Sequence, residues 1–147
     1  MPNVLSTEFI DSFADRSIDI LNDTLKAMLV RSGYVPDKDT QFIDTGGASD
    51  AVDFRVASST DQTISGRSIV KDTTNDFVCL TANSVTFSSV PAGPAAAGVV
   101  LYKDTGTPTT SKIIGYFDIP DVIPDGGDIV IAFPTSSNGG ILKMLQA

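Results

Sequence analysis

The side chains that most often carry enzyme chemistry are nearly absent from this sequence. Its 147 residues include no histidine and one cysteine, Cys79. Ser-His-Asp and Cys-His nucleophiles are therefore excluded, as are histidine-ligated zinc or iron sites and any site built from several thiolates of one chain. Carboxylates are the main groups left for acid or base catalysis.

Carboxylate catalysis finds little support in the residues present. A glycosidase needs two acids on opposite sides of a sugar, and Glu8 is the only glutamate. Its partner would have to come from aspartates that mostly fall in turn-forming clusters. The glycine pairs Gly46-Gly47 and Gly126-Gly127 match neither phosphate-binding glycine pattern and are interpreted as turns. We therefore expect a protein that is not an enzyme and that uses no cofactor.

Two groups of aspartates offer the oxygen ligands that calcium prefers. They are Asp121, Asp125 and Asp128, and Asp37, Asp39 and Asp44. Neither group has the spacing of an EF-hand loop, and aspartates in turns commonly accept hydrogen bonds from their own backbone. The turn interpretation is preferred, so we predict no metal site.

The charge balance limits the partners of this chain. Its net charge is −8 and its pI about 4.2, and the basic residues are scattered, so we expect no nucleic-acid partner. The uncharged stretch from Phe77 to Tyr102 has the length of a membrane span, but polar residues, prolines and period-two alternation indicate soluble strands. The first residues lack the basic and apolar regions of a signal peptide, which predicts a product made in the host cytoplasm.

Most of the sequence has the pattern of short strands separated by turns. From Val52 to Val56 apolar residues alternate with charged ones, as in a sheet with one face toward solvent. Ile18 to Ile20 also alternates as a strand does. The other apolar runs cover residues 24–31, 63–70, 77–80, 84–88, 97–102, 112–119, 128–133 and 141–145. About nine short strands predict one all-β domain over residues 1–147, a sandwich or a jelly-roll-like barrel.

The N-terminal third departs from this pattern. Ser6 to Phe9 resembles a helix start, and Phe9 and Phe13 share one helical face. Aspartates then recur every fourth residue up to Asp23, so a longer helix would stack like charges, and we predict that it ends near Asp15. Cys79 lies in an apolar run and is expected to be buried.

Candidate contact residues cluster near the N-terminus. Residues 1–8 are expected to form an extended arm, because an uncharged terminus can lie along a neighbouring subunit and become ordered on binding. Tyr34 is the candidate for an aromatic in a contact loop, since most phenylalanines fall at inward-facing positions. The loops at residues 36–50 and 104–111 are further candidate contact surfaces. The predicted contact residues are Pro2, Asn3, Val4, Leu5, Phe9, Ile10 and Tyr34.

Several segments resemble a group of small phage virion proteins found among head genes. The likeness begins at residues 13–30, FADRSIDILNDTLKAMLV, and continues with the Tyr-x-Pro-Asp turn at Tyr34 to Asp37. Further matching segments follow in the same order, at residues 66–68 (GRS), 84–87 (SVTF), 100–106 (VLYKDTG), 113–118 (IIGYFD) and 126–129 (GGDI). These are strand and turn patterns rather than chemical signatures.

The resemblance implies a β-rich virion protein without catalytic residues, such as a capsid decoration or cement protein that clamps neighbouring capsid subunits. It implies the major capsid protein as partner, and self-association with a trimer favoured. A neck, tail or baseplate component is one alternative. A carbohydrate-binding host-recognition module is another, ranked last because the chain has no tryptophan for an aromatic platform.

Overall fold

The computed structural model describes residues 3–145, which contain one α-helix and ten strands. Helix α1 covers Thr7–Ala14. The strands are β1 (Val4–Leu5), β2 (Leu25–Arg31), β3 (Gln62–Thr63), β4 (Ser68–Asp72), β5 (Phe77–Thr81), β6 (Val85–Phe87), β7 (Ala96–Lys103), β8 (Ile113–Val122), β9 (Ile129–Ile131) and β10 (Leu142–Leu145). Single 3-10 turns lie at Ala51–Phe54, Pro108–Thr110 and Ser136–Asn138. The predicted all-β class is confirmed.

The strands form three antiparallel sheets around a shared core. The main sheet has five strands in the order β1-β8-β7-β2-β3, and the smaller sheets have the orders β10-β5-β4 and β6-β9. Leu29 of β2, Leu80 of β5, Phe87 of β6 and Ile131 of β9 belong to one buried apolar cluster, which places the smaller sheets over one face of the main sheet. This arrangement agrees with the predicted sandwich.

The main sheet is buried on both faces, which explains its nearly continuous apolar strands. Along β2, Leu25, Ala27 and Leu29 point into the core shared with the smaller sheets. Met28 and Val30 point the opposite way, into a second buried cluster. Because successive side chains of a strand alternate between faces, both sets must be apolar when both faces are covered.

The second cluster is covered by the loop that was expected to be a contact surface. Ile43 from this loop is 2% exposed, and its backbone N–H donates to the Ser111 carbonyl at 3.0 Å. Tyr34 is 6% exposed, and its ring packs against Tyr116 and Phe54 with centroids 5.9 and 5.7 Å apart. The expectation of an accessible Tyr34 is therefore wrong, because residues 34–54 fold back over the sheet.

Two strands predicted from alternation are not formed. Ala51–Phe54 is a 3-10 turn, because Asp50 and Asp53 form a reciprocal capping box that satisfies the backbone of one helical turn. Residues 18–20 form no strand either. Ile18 and Ile20 are both buried, but Asp19 between them accepts hydrogen bonds from the next backbone N–H groups and turns the chain.

The predicted N-terminal arm is part of the fold from residue 3 onward. Val4 pairs with Tyr116 and Leu5 with Gly115, which makes β1 an edge strand of the main sheet. Helix α1 follows at once and ends at Ala14, close to the predicted end. Phe9 on this helix is 1% exposed and belongs to the main core, so it is not an accessible contact residue. In the described part of the chain, no helix is long and apolar enough to cross a membrane.

Candidate docking surfaces

The aspartates serve mainly as turn formers. Carboxylates of Asp37, Asp44, Asp72, Asp104 and Asp125 each accept a backbone N–H from two residues further on, at 2.9–3.0 Å. The turn interpretation of these aspartates is confirmed for the five. Among residues 3–145, no three acidic, cysteine or histidine side chains are grouped so that they could hold a metal ion.

The largest buried polar cluster joins Arg55, Asp61 and Tyr102. The guanidinium of Arg55 donates two hydrogen bonds to the Asp61 carboxylate, at 3.0 and 2.8 Å, and the Tyr102 hydroxyl donates a third at 2.7 Å. Burial raises the pKa of Tyr102, and the bond to Asp61 raises it further. All three groups are used within the fold, and the cluster anchors the segment before β3 to strand β7.

A second polar cluster holds helix α1 against the main sheet. The Lys112 ammonium donates to the hydroxyls of Ser12 and Ser17 at 3.0 and 3.1 Å. Lys103 donates to the Ser17 carbonyl at 2.8 Å and forms an ion pair with Asp23 at 2.9 Å. These bonds fix the C-terminal end of α1 and the segment that follows it.

Among the described residues, no buried side-chain nitrogen or oxygen lacks a hydrogen-bond partner. The Asp50 carboxylate, 6% exposed, illustrates this in the loop over the second cluster, where it accepts from Thr45 and from the Gly47 N–H. Burial raises the pKa of Asp50, but these hydrogen bonds outweigh burial and the net pKa is lowered. A polar cavity of about 770 Å³ lies beside it and has bonded walls of this kind.

A different kind of surface lies between helix α1 and the three-stranded sheet. It is an open apolar groove of about 550 Å³, called the docking groove below. Its lining residues are Phe13, Arg16, Ile18, Asp19, Ile20, Leu21, Ile69, Val78 and Met144. Phe13 is 42% exposed, Leu21 45% and Ile69 39%, which is unusual for side chains of this size in one place.

The strand register explains why the groove is apolar. Ile69 stands opposite Leu80, and Leu80 opposite Leu142, so these side chains share one face of the three-stranded sheet. Leu80 and Leu142 are buried in the core, whereas Val78 and Met144, two residues along on the same face, line the groove. The inner face of this sheet therefore continues outward beyond the core.

The chain after helix α1 forms the opposite wall. Arg16 adopts a left-handed conformation with φ of +64°, which turns the backbone at the end of the helix. Ile18 and Ile20 then point inward and form the floor, while Leu21 remains exposed. Phe13 completes the wall and contacts Phe9 in the core, with ring centroids 5.9 Å apart.

Only part of the predicted contact set is accessible. Asn3 is exposed, and its side-chain oxygen accepts a hydrogen bond from the Asp118 N–H at 2.8 Å. Ile10 is 56% exposed on α1, whereas Val4 and Leu5 are half-buried in β1. Phe9 and Tyr34 are buried, as described above, and Pro2 lies outside the described residues.

The sequence interpretation missed a second exposed apolar feature. Residues 121–125, called the acidic knob below, follow the last turn of β8. Within it Ile123 is 76% exposed and Val122 37%, and Asp121 and Asp125 flank them. The signal was present in the sequence, because two adjacent apolar residues bracketed by aspartate and proline do not alternate as strand residues do.

Comparison with known proteins gave no relative: no family model, no curated protein and no solved structure matches this chain.

Proposed function

We propose that this protein is a structural component of a phage particle, a capsid decoration protein that stabilises the head by docking onto the major capsid protein. One observation carries the proposal. Buried polar side chains are all bonded inside the fold, while large apolar side chains, among them Ile10, Phe13 and Ile123, stand exposed. Exposed apolar groups beside saturated polar ones are typical of a protein that acts through contact surfaces.

The capsid contact is assigned to the outer side of helix α1 and strand β1. Ile10 projects from α1, and β1 is an edge strand of the main sheet, with Asn3 exposed at its start. The bonds from Lys112 to Ser12 and Ser17 hold the helix in place, so Ile10 is presented on a fixed support. A preorganised support reduces the entropy that docking would otherwise cost.

The resemblance of segments such as VLYKDTG at residues 100–106 to phage virion proteins supports the same function. In this proposal the protein is made in the host cytoplasm, resides in the virion and associates with itself, with a trimer favoured. Neither an enzymatic step nor a cofactor is part of the proposal. A rigid sandwich suits this work, because resistance to internal pressure comes from many weak contacts repeated by symmetry.

The test is a rebinding assay with phage heads from which the protein has been stripped. We expect the purified protein to bind these heads and to restore their resistance to heat. Ile10→Asp should weaken binding about tenfold or more, because burying an isoleucine side chain is worth about 1.5–3 kcal/mol and a buried unpaired carboxylate opposes docking.

Val130→Asp is the matched control for this assay. Val130 is 60% exposed on β9, against 56% for Ile10, so both changes place a carboxylate at a similarly exposed apolar position. We expect Val130→Asp to bind stripped heads like the unaltered protein. Absence of binding by the unaltered protein, or equal binding by Ile10→Asp and Val130→Asp, would contradict the assignment.

A further inference from the structure

The docking groove and the acidic knob lie at opposite ends of the molecule. The groove is attached to the start of β8, since Lys112, just before this strand, bonds to Ser12 and Ser17 beside the groove wall. The knob begins where β8 ends, at Val122. A ten-residue strand spans about 30 Å, so one molecule cannot place its own knob in its own groove.

The knob is a rigid projection. On one side, Val122 pairs with Ala96 in the main sheet. On the other side, Val90 exchanges backbone hydrogen bonds with the loop, accepting from the Gly126 N–H at 2.8 Å and donating to the Gly127 carbonyl at 2.9 Å. Pro124 between these fixed points is buried. Ile123, 76% exposed, is therefore held away from the surface by a fixed backbone.

The charges around the two features are complementary. Ten basic residues are present, and seven of them bond or stack within the chain. The other three, Arg16, Lys38 and Lys71, form no such contact with any described residue.

Two of these free cations lie at the groove. Arg16 lines it directly, and Lys71 lines a cleft that shares Val78 and Met144 with it. The groove also contains Asp19, but that carboxylate already accepts three hydrogen bonds from Leu21 and Asn22. Free positive charge at the groove thus matches the aspartates that flank the knob, in a chain that is otherwise strongly acidic.

We infer that the acidic knob of one copy of this chain docks in the docking groove of the next copy. Ile123 and Val122 enter the apolar groove, and Asp121 faces Arg16 of the neighbour. Each copy contributes two different surfaces, so the contact is head-to-tail and produces a ring where the rotation closes. The inference does not depend on the capsid assignment, which concerns Ile10 on another surface.

Complementation between two variants tests this contact. Ile123→Asp destroys the knob and leaves the groove intact, whereas Arg16→Glu reverses the groove's free charge and leaves the knob intact. Each variant alone should be a monomer at a concentration at which the unaltered protein is an oligomer, with association at least tenfold weaker. Mixed in equal amounts, they should form a dimer, because the intact knob of one fits the intact groove of the other. Light scattering coupled to size-exclusion chromatography measures these masses.

Two further variants make the test specific. Asp121→Lys combined with Arg16→Glu restores an opposite pair and should recover part of the lost association. Val35→Asp changes a side chain that is 70% exposed outside both surfaces, and should leave the oligomer unchanged. Circular dichroism should show that all variants remain folded, since the changed residues are exposed.

Three results would overturn the inference. The first is an unaltered protein that stays monomeric up to its solubility limit. The second is an oligomer that persists in both single variants. The third is a mixture of Ile123→Asp and Arg16→Glu that stays monomeric, since that would indicate a symmetric contact of like surfaces or a contact elsewhere. Loss of capsid binding by Ile10→Asp would affect none of these results.

Discussion

Gly140→Ala should lower the free energy of unfolding by about 3–4 kcal/mol, a large part of the stability of a domain of this size. Gly140 has a φ of +62°, where an alanine costs about 1–2 kcal/mol. An added Cβ would also press against the carbonyl oxygen of Leu80, closer than side-chain carbons approach in folded proteins. That carbonyl accepts the Ile141 N–H that starts the pairing of β10 with β5, so the strand must shift.

Gly46→Ala is the control for the backbone term alone. Gly46 also has a positive φ, +82°, but a Cβ there would meet nothing within 4 Å. We expect a loss of only about 1 kcal/mol for this variant in chemical denaturation. Equal losses for the two variants would show that β10 is not packed against Leu80 as described.

Phe9→Ala should destabilise the protein by about 3–5 kcal/mol, because it removes a fully buried aromatic side chain and leaves a cavity. Phe9 is 1% exposed and joins helix α1 to the main core. Without it the helix loses its main apolar anchor, although the bonds from Lys112 to Ser12 and Ser17 remain. Chemical denaturation measures the loss directly.

Ile10→Ala is the neighbouring control, since Ile10 lies on the same helix but is 56% exposed. Its stability should change by no more than about 0.5 kcal/mol. This pair separates the two residues that the sequence had placed in one contact surface. A Phe9→Ala variant as stable as Ile10→Ala would mean that α1 is not docked on the core.

The sheet could be predicted because its signals are local. The alternation and β-branched residues of β2, β7 and β8 and the aspartate turns between strands are visible in short windows of sequence. Where a second local signal competed, alternation misled. The Asp50 and Asp53 capping box decided for a 3-10 turn at Ala51–Phe54 over the strand that alternation indicated.

The candidate surfaces were harder to predict, because exposure depends on contacts between distant parts of the chain. Tyr34 has the sequence context of a loop aromatic, yet its burial is decided by Tyr116, eighty-two positions away. Ile69 and Phe13 look like core residues in their local patterns, and only the register of the three-stranded sheet and the turn at Arg16 leave them exposed. Only Asn3 and Ile10 of the predicted contact residues proved accessible.

The central claim is that this chain works as a repeated building part of a phage head, and its copy number in purified particles tests this most directly. Quantitative mass spectrometry of particles of the encoding phage, referenced to the major capsid protein, supplies the number. The account predicts on the order of hundreds of copies per head, as capsid symmetry requires of a decoration protein. Absence from the particle, or about six to a few dozen copies as for a neck, tail or baseplate part, would contradict it.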